Sequence, residues 1–304
     1  MAELVPLEYG AYRADVSRRG AGLVRLQSDA QDLVVPATNG TGPPLFRGAV
    51  LVPWPNRVAD GSYEFAGRRL QLDINEPERN TALHGLVHSA DFELRSSTGA
   101  TAVLGHRLPA SDGYPHELDV EVTYRLDDQG LTCSVLTTNV GAEPAPYGAA
   151  PHPYLRAGGV HGRVDDWTVE VPAAQVLEVT PDRLLPVGLV DVAGGPYDLR
   201  TPRRIGDLEL DSAFTGLHAG EDGLARVRLS DDDGNAVQVT WDADVLPWVQ
   251  VHTADRPPED ATAHRVGLAV EPMTCPPDAF NSGTDLIRLE PGAQHSAWWT
   301  LGRR

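Results

Sequence analysis

The sequence predicts an all-β protein, folded as a large antiparallel β-sandwich. The chain has 30 glycines and 25 prolines among 304 residues, and this density of turn-forming residues favours many short elements over long helices. Residues 118–126 alternate apolar and polar side chains and end at the turn sequence of residues 127–130. Segments of this kind recur along the chain with turn residues between them, which is the pattern expected of a sandwich.

The first part of the chain predicts short strands joined by tight turns. Residues 12–16, 22–27 and 32–35 have weak strand patterns that are separated by Gly, Ser and Asn. In residues 62–72, two alternating stretches flank Ala66-Gly67, and this arrangement predicts a β-hairpin.

The middle and the C-terminal part of the chain continue the same pattern. Residues 92–95, 103–108 and 131–139 extend the alternating segment above into an antiparallel meander, with one face in the core and one in water. Residues 225–229 and 236–241 predict two strands around three consecutive aspartates. These aspartates lack the further ligands of a calcium loop, so we predict a hairpin turn between the strands.

Composition limits the function and the location. The formal net charge is -18 and all 25 basic residues are arginine, which disfavours nucleic acid and anionic membranes as partners. Cys133 and Cys275 form neither a disulfide framework nor a zinc motif. The N-terminus lacks a signal-peptide pattern and no apolar run is long enough for a membrane span, so we expect a cytoplasmic protein. No linker divides the chain, which predicts a single domain over residues 1–304.

A proline-rich loop carries the first candidate binding residues. Pro53 and Pro55 disfavour a central strand and predict an extended loop that presents Trp54, Asn56 and Arg57. An aromatic plane beside an amide and a guanidinium suits a polyhydroxylated ring, because the plane covers C–H faces while the polar groups meet hydroxyls. A structural tryptophan beside a surface arginine explains the same residues equally well.

His84 and His88 are four residues apart, which on a helix is a spacing used by metal ligands. Gly85 and Val87 disfavour a helix here and the rest of a zinc motif is missing, so we predict no metal site. His84 is then either a hydrogen-bonded core residue or a contact to a ligand.

His152 lies between Pro151 and Pro153. The two prolines restrict the backbone on either side, so the direction of the imidazole is set at little further cost in entropy. An imidazole titrates near neutral pH and can donate or accept a proton. We therefore favour a functional role for His152 over a structural one.

Glu271 ends an apolar run, residues 267–270, and a turn rich in proline follows it. A strand that delivers a carboxylate to its end holds a general base rigidly, although a solvated surface glutamate is the alternative. Gln250 lies in a predicted strand, residues 247–253. Asp211 precedes an aromatic segment, a position that also suits a surface acid or a helix N-cap.

Taken together, these segments resemble those of one protein family, the aldose 1-epimerases or mutarotases. The resemblance runs from about residue 52 to residue 281 and continues weakly beyond it. Each matching segment is short, and their number and order make the resemblance specific. The matching segments are Pro53-Trp54-Pro55-Asn56-Arg57, Asp60-Gly61-Ser62-Tyr63, Asn80-Thr81-Ala82-Leu83-His84-Gly85, Asp112-Gly113-Tyr114-Pro115, Asn139 through Pro146, His152-Pro153-Tyr154, Asp211-Ser212-Ala213-Phe214, Gln250, Glu271 and Pro277-Asp278-Ala279-Phe280-Asn281.

The resemblance implies a galactose mutarotase-like β-supersandwich with an open polar cleft and no cofactor. It also implies an isomerase that interconverts the α and β anomers of a free aldohexose, as a monomer or homodimer. Glu271 matches the general base that takes the proton from the C1 hydroxyl, and His152 matches the acid that protonates the ring oxygen. The positions that match sugar contacts are Asn56, Arg57, His84, Asp211 and Gln250, with Tyr154 lining the same cleft.

The chemistry asks for the same residue types. Opening a hemiacetal ring moves one proton off O1 and another onto O5, and a carboxylate and a protonated imidazole on opposite sides serve both transfers. The reaction needs no metal, redox group or covalent nucleophile. Leu86-Val87, Leu155 and His252 differ from residues frequent in the galactose-preferring enzymes, so the sequence does not predict which sugar is the substrate. The Trp54 loop and the His152-Pro153-Tyr154 segment resemble a bacterial side branch more than the galactose-preferring enzymes.

Two other functions remain open. A hexose-6-phosphate epimerase shares the fold, but binding a phosphate dianion requires clustered cations, and the arginine pairs at residues 68–69 and 203–204 lie outside the matching segments. A non-catalytic sugar-binding or regulatory protein could keep the cleft and lose the proton-transfer pair. The retention of both Glu271 and His152 argues against that alternative.

Overall fold

The computed structural model describes residues 3–37, 44–158, 162–256, 260 and 263–304. Within them the chain forms 27 strands and three short helices, which confirms the all-β class. The strands are β1 (Leu4–Tyr9), β2 (Tyr12–Ser17), β3 (Leu23–Ser28), β4 (Gln31–Asp32), β5 (Val50–Leu51), β6 (Arg57–Ala59), β7 (Ser62–Phe65), β8 (Arg68–Gln71), β9 (Thr81–Leu83), β10 (Glu93–Ser97), β11 (Thr101–Leu108), β12 (Leu118–Asp127), β13 (Gly130–Asn139), β14 (Ala145–Tyr147), β15 (Ala150–Pro151), β16 (Tyr154–Leu155), β17 (Thr168–Glu170), β18 (Ala173–Val179), β19 (Pro186–Asp191), β20 (Arg203–Arg204), β21 (Asp211–Leu217), β22 (Leu224–Ser230), β23 (Ala236–Asp242), β24 (Trp248–His252), β25 (Leu268–Met273), β26 (Ile287–Leu289) and β27 (Gln294–Arg303). The helices are two 3-10 turns, Pro44–Phe46 and Val164–Asp166, and α1, Ala279–Ser282. None of these described helices has the length and apolar character needed to cross a bilayer.

Nine strands form the larger sheet, in the order β10-β11-β12-β13-β27-β23-β22-β17-β20. Every neighbouring pair in this sheet is antiparallel. Buried and more exposed residues alternate along β12, so one face of the meander packs into the core, as its sequence predicts. The last strand of the chain, β27, lies between β13 and β23, and the C-terminal residues therefore complete the middle of the sheet.

Six strands form the second sheet, in the order β16-β25-β24-β21-β18-β19. All six residues of β25 are buried, as are four of the five residues of β24, so both faces of these strands are covered. One cluster of buried apolar side chains includes Val122 and Trp241 from the larger sheet and Val249 and Val270 from the smaller one. The shared core between two sheets confirms the predicted sandwich.

Two predicted hairpins are confirmed. Strands β7 and β8 pair across Ala66 and Gly67, whose φ angles of 51° and 75° are those that a tight hairpin turn requires. Strands β22 and β23 pair around the aspartate turn. In that turn Asp231 accepts hydrogen bonds from the backbone N–H groups of Asp233 and Asn235, which gives the first of the three aspartates a structural role.

Two local predictions are wrong. Glu271 does not end its strand, because it is the fourth of six residues in β25, and Pro272 continues the pairing with β24. Proline removes one N–H donor, but it does not prevent an extended backbone. The strand predicted over residues 32–35 is limited to Gln31–Asp32, and beyond it only Val34 forms an isolated bridge.

Candidate active site

One cavity of about 340 Å³ lies against the six-stranded sheet, and four strands of that sheet contribute to its wall. A volume of this size suits a small polar molecule. The cavity brings together the eight residues that the family resemblance matches to the site. They are Asn56, Arg57, His84, His152, Tyr154, Asp211, Gln250 and Glu271.

Strand pairing places the acidic and amide groups on one face of the sheet. Gln250 of β24 pairs with Glu271 of β25, and Asp211 of β21 pairs with His252 of β24. Side chains at paired positions, and at positions two residues apart on one strand, point to the same face. Accordingly, Gln250 Nε2 donates to Asp211 Oδ1 at 2.6 Å, while Gln250 Oε1 is buried without a hydrogen-bond partner in the described chain.

Glu271 and His152 are in direct contact. His152 Nε2 lies 3.3 Å from Glu271 Oε1, and the two residues are 5% and 2% exposed. The expectation that they stand on opposite sides of a ligand is therefore wrong. The loop holding His152 is fixed by its backbone N–H, which donates to Ala49, and by its carbonyl, which accepts from Gly48. His152 Nδ1 and Glu271 Oε2 remain buried without partners among the residues the structure describes.

The environment of this pair disfavours charge on either group. Burial, together with the nearby charge of Asp211, raises the pKa of Glu271 well above its usual range, against the opposing effect of Arg57. Burial lowers the pKa of His152 to about 3, and His252 acts in the same direction. When the pair holds one proton, that proton is thus favoured on the carboxyl group. The sequence led us to expect the opposite arrangement, a carboxylate beside a protonated imidazole.

Arg57 is held rigidly at the cavity wall by Glu76. Arg57 Nε and Nη2 donate to the two carboxylate oxygens of Glu76 at 2.8 and 2.9 Å, and Nη1 donates to Asn56 Oδ1 at 3.3 Å. Thr81 Oγ1 also donates to Glu76, at 2.6 Å. Burial alone would raise the pKa of Glu76, but the hydrogen bonds and charge of Arg57 outweigh it and lower that pKa.

His84 is hydrogen-bonded within the protein and also lines the cavity. Its Nδ1 accepts a hydrogen bond from the backbone N–H of Asn56 at 3.2 Å, and its ring also lines the cavity, edge-on to His152. Its φ of 64° and that of Gly85, 72°, give the tight turn that directs the ring inward. A Cβ on Gly85 would come within 2.3 Å of the Val52 carbonyl, so only glycine fits there.

Aromatic rings surround the imidazole of His152. The Tyr154 ring stacks on it with centroids 5.2 Å apart and planes 13° apart, and Phe46 lies nearly parallel at 6.2 Å. Trp54, in contrast, is 3% exposed, does not line the cavity, and packs against Phe280. For Trp54 the structural interpretation is therefore the correct one.

Comparison with known proteins identifies the family. The family model described as aldose 1-epimerase matches residues 3–302. The chain belongs to the aldose 1-epimerase family. Its sequence is 35% identical over 300 residues to the Escherichia coli (strain K12) protein YihR, covering 98% of this chain and 92% of that protein. Human galactose mutarotase is 31% identical over 175 residues, which span 56% of this chain and 50% of the human protein.

Solved structures of other aldose 1-epimerase homologues share the fold. A putative aldose 1-epimerase from Escherichia coli K12 superposes with a TM-score of 0.85 at 22% identity, covering 100% of this chain and 99% of that one. A GalM/aldose epimerase homologue from C. elegans gives a TM-score of 0.86 at 17% identity, with the same coverage. These similarities establish the galactose mutarotase-like β-fold that the sequence predicts.

Sequence reasoning missed several residues that this aldose 1-epimerase family member places at the cavity. They include Phe46, Glu76, Arg79, Asp255 and Arg256. Phe46 ends a short 3-10 turn and the other four lie in connecting segments, so no periodic pattern marks them. The role of a residue such as Glu76 also depends on a partner 19 residues away. His252, noted only as a departure from the galactose-preferring enzymes, also lines the cavity.

Proposed function

We propose that this protein is an aldose 1-epimerase that interconverts the α and β anomers of an aldopyranose by acid–base ring opening and closure. The observation that carries the proposal is the 3.3 Å contact between a buried imidazole and a buried carboxylate at the wall of a polar cavity. Both groups retain a polar atom with no hydrogen-bond partner in the described residues. A sugar hydroxyl and a ring oxygen would satisfy those atoms.

Placing the two groups side by side suits this reaction. O1 and O5 of a pyranose are bonded to the same carbon, so the proton acceptor for one and the proton donor for the other must lie close together. In the proposed reaction Glu271 takes the proton from the C1 hydroxyl while His152 delivers one to O5. Rotation about C1–C2 then exposes either face of the aldehyde, and the two groups exchange roles as the ring closes.

The reactive form requires the shared proton on His152. Two neighbouring charges act on both halves of this form. Arg57 stabilises the carboxylate of Glu271 and opposes the imidazolium of His152, while Asp211 stabilises the imidazolium and opposes the carboxylate. Hydrogen bonds from a bound sugar replace part of the hydration that the pair loses on burial. The 3.3 Å separation gives the proton a direct route between Oε1 and Nε2 as the sugar binds.

The remaining polar groups provide sugar contacts. Gln250 Oε1 is an acceptor without a partner among the described residues, and Asp211 and Arg57 offer further acceptors and donors for hydroxyl groups. The Phe46 and Tyr154 rings supply apolar surface for the C–H faces of a pyranose. This combination favours a sugar over a purely apolar or a highly charged ligand.

A panel of freshly dissolved α-aldoses, followed by polarimetry and by calorimetry, separates an epimerase from a sugar-binding protein. We expect the protein to accelerate the change in optical rotation of at least one sugar that it binds. Binding without any acceleration across the panel would support the sensor and contradict the epimerase. In that case the pair would catalyse no proton transfer, even though burying two ionisable groups lowers the stability of the folded protein.

A further inference from the structure

His252 lines the cavity at a position where the sequence differs from the galactose-preferring enzymes. Its Nδ1 lies 3.0 Å from the carbonyl oxygen of Leu210, and this is the one hydrogen bond that the ring forms within the described residues. A carbonyl oxygen only accepts hydrogen bonds, so Nδ1 carries the ring hydrogen. In the neutral imidazole, Nε2 is then an acceptor that a ligand in the cavity can use.

Strand pairing shows where His252 lies relative to the other cavity residues. Ala269 of β25 pairs with Tyr154 of β16 on one side and with His252 of β24 on the other. His252 in turn pairs with Asp211 of β21. Side chains at paired positions share one face of the sheet, and two strand spacings separate Tyr154 from His252 by roughly 10 Å. These two residues therefore line the cavity from opposite sides, with the small side chain of Ala269 between them.

This order determines how a pyranose ring faces the sheet in the proposed reaction. His152 stacks on Tyr154 and serves O5, so O5 lies on the Tyr154 side of the cavity, while Glu271 of β25 takes the proton from O1. C1 is bonded to both O5 and C2, so C2 lies on the side away from O5. The ring edge formed by C2 and C3 consequently faces His252 and Asp211.

Asp211 and His252 present two acceptors to this edge of the sugar. Asp211 Oδ1 accepts a hydrogen bond from Gln250 Nε2, and Oδ2 lies 3.9 Å from Arg57 Nη2. A carboxylate only accepts hydrogen bonds, as does Nε2 of the neutral His252 ring. Two neighbouring acceptors require two donors, and a pair of hydroxyl groups on adjacent carbons supplies them.

We propose that His252 is a specificity-determining residue whose Nε2 binds a hydroxyl group on the C2–C3 edge of the sugar. The inference rests on the proposed epimerase function and narrows its substrates to aldopyranoses with adjacent hydroxyl groups on C2 and C3. A sugar hydroxyl both donates and accepts hydrogen bonds, so it can also accept one from Nε2 when the imidazole is protonated. The contact therefore persists across the titration of His252.

The test compares the mutarotation of glucose with that of 2-deoxyglucose, 3-deoxyglucose and 6-deoxyglucose, each followed by NMR exchange. Removing a hydroxyl that meets Nε2 leaves a polar group unpaired, so we expect kcat/KM to fall by about tenfold or more for at least one of the first two deoxy sugars. The third, which is altered on the opposite edge of the ring, should lose distinctly less. In His252→Phe, which keeps a ring but removes both nitrogens, the penalty on the same deoxy sugar should shrink by about tenfold.

Two further variants separate this contact from a purely structural role. His252→Gln keeps a side chain that can hydrogen-bond both Leu210 and a hydroxyl, so it should retain more of the penalty than His252→Phe. His218→Phe makes the same change at an exposed position and should leave every ratio unchanged. A loss of packing alone would lower kcat/KM for all four sugars by one common factor and leave their ratios as they are.

Equal kcat/KM for glucose, 2-deoxyglucose and 3-deoxyglucose would overturn the proposal while leaving the epimerase intact, as would a penalty that His252→Phe retains in full. If glucose is not turned over, the polarimetry panel decides the epimerase, and calorimetry in the Glu271→Gln variant decides the contact by itself. Weaker binding of a deoxy sugar than of glucose, with the difference lost when His252→Phe is added, would support the contact. The absence of that difference would overturn it.

Discussion

Glu271 and His152 are two ionisable residues in a buried environment that disfavours charge on either side chain. At 2% and 5% exposure, their charged forms lose hydration that neighbouring groups only partly replace. The 3.3 Å contact lets one proton serve both groups, so their titrations belong to the pair. A modest change in their surroundings then moves the proton from one group to the other.

The pH dependence of kcat/KM should reflect this shared proton. Because burial lowers the pKa of His152 to about 3 and raises that of Glu271, the pair keeps a single proton between those two limits. We expect no step near pH 6.5, where an exposed imidazole titrates. We expect a fall as the pH rises through the raised pKa of Glu271, where the pair loses its proton. NMR exchange rates measured across the pH range check this, and an inflection at the ordinary histidine pKa would contradict it.

The buried imidazole should also make stability depend on pH. His152 stays neutral in the folded protein down to about pH 3, whereas it titrates near its ordinary value when unfolded. Its contribution to the free energy of unfolding is complete above about pH 6.5 and is lost as the pH falls toward 3. At about pH 4.5 the loss is about 3 kcal/mol relative to neutral pH.

In His152→Asn we therefore expect the difference in the free energy of unfolding between neutral pH and about pH 4.5 to shrink by about 3 kcal/mol. Urea denaturation at the two pH values measures it. His218→Asn is the control, because His218 is exposed. An equal pH dependence in both variants would rule out a depressed pKa for His152.

At the scale of elements, the segment between β8 and β9 orients Arg57, a residue of β6 that lines the cavity. Glu76 in this segment is 6% exposed and accepts both hydrogen bonds of the Arg57 fork. Removing one partner of a buried ion pair leaves the other uncompensated, which is costlier than the pair itself. Glu76 is therefore a positioning residue for Arg57.

We expect Glu76→Gln to lower the free energy of unfolding by about 3 kcal/mol. We also expect KM to rise by about tenfold, with a smaller change in kcat, because in the proposed site Arg57 contacts the sugar but transfers no proton. Glu78→Gln, two residues away with a side chain that is 66% exposed, is the matched control and should change each value little. Identical behaviour of the two variants would remove the positioning role.

Most elements could be predicted from sequence, but their pairing could not. The alternation in residues 118–126 and the turn at Ala66-Gly67 are local signals, and both predicted elements form. The proline after Glu271 predicts a strand end at this residue, yet pairing with β24 continues the strand two residues further. The bond from Glu76 to Arg57 depends on non-local folding and leaves no pattern in the sequence.

At the scale of the whole molecule, the last strand of the chain, β27, completes the middle of the larger sheet. The backbone N–H of Arg303 on β27 donates to the Tyr12 hydroxyl on β2 at 3.1 Å, so the two ends of the chain are linked. Trp299 of β27 is 2% exposed and packs in the core, while the adjacent Trp298 points to the other face and is only partly buried. The place of β27 in the sheet could not be predicted from local sequence, because its partners β13 and β23 are distant along the chain.

We expect Trp299→Ala to lower the free energy of unfolding by about 3–5 kcal/mol, because it opens a cavity in the core. Trp298→Ala is the matched control, with the same change of residue on the opposite face of the same strand, and should cost distinctly less. Denaturant unfolding of both variants makes the comparison. Equal losses would show that β27 does not present these two faces differently to the core.

The account depends above all on proton transfer by Glu271, and the anomer exchange rate of Glu271→Gln tests it most directly. Glutamine keeps the size and hydrogen-bonding capacity of the side chain but cannot accept the C1 hydroxyl proton. We expect the exchange rate measured by NMR to fall by about 10²–10⁴-fold, while calorimetry shows that the sugar still binds. An exchange rate close to that of the unmodified protein would contradict the account.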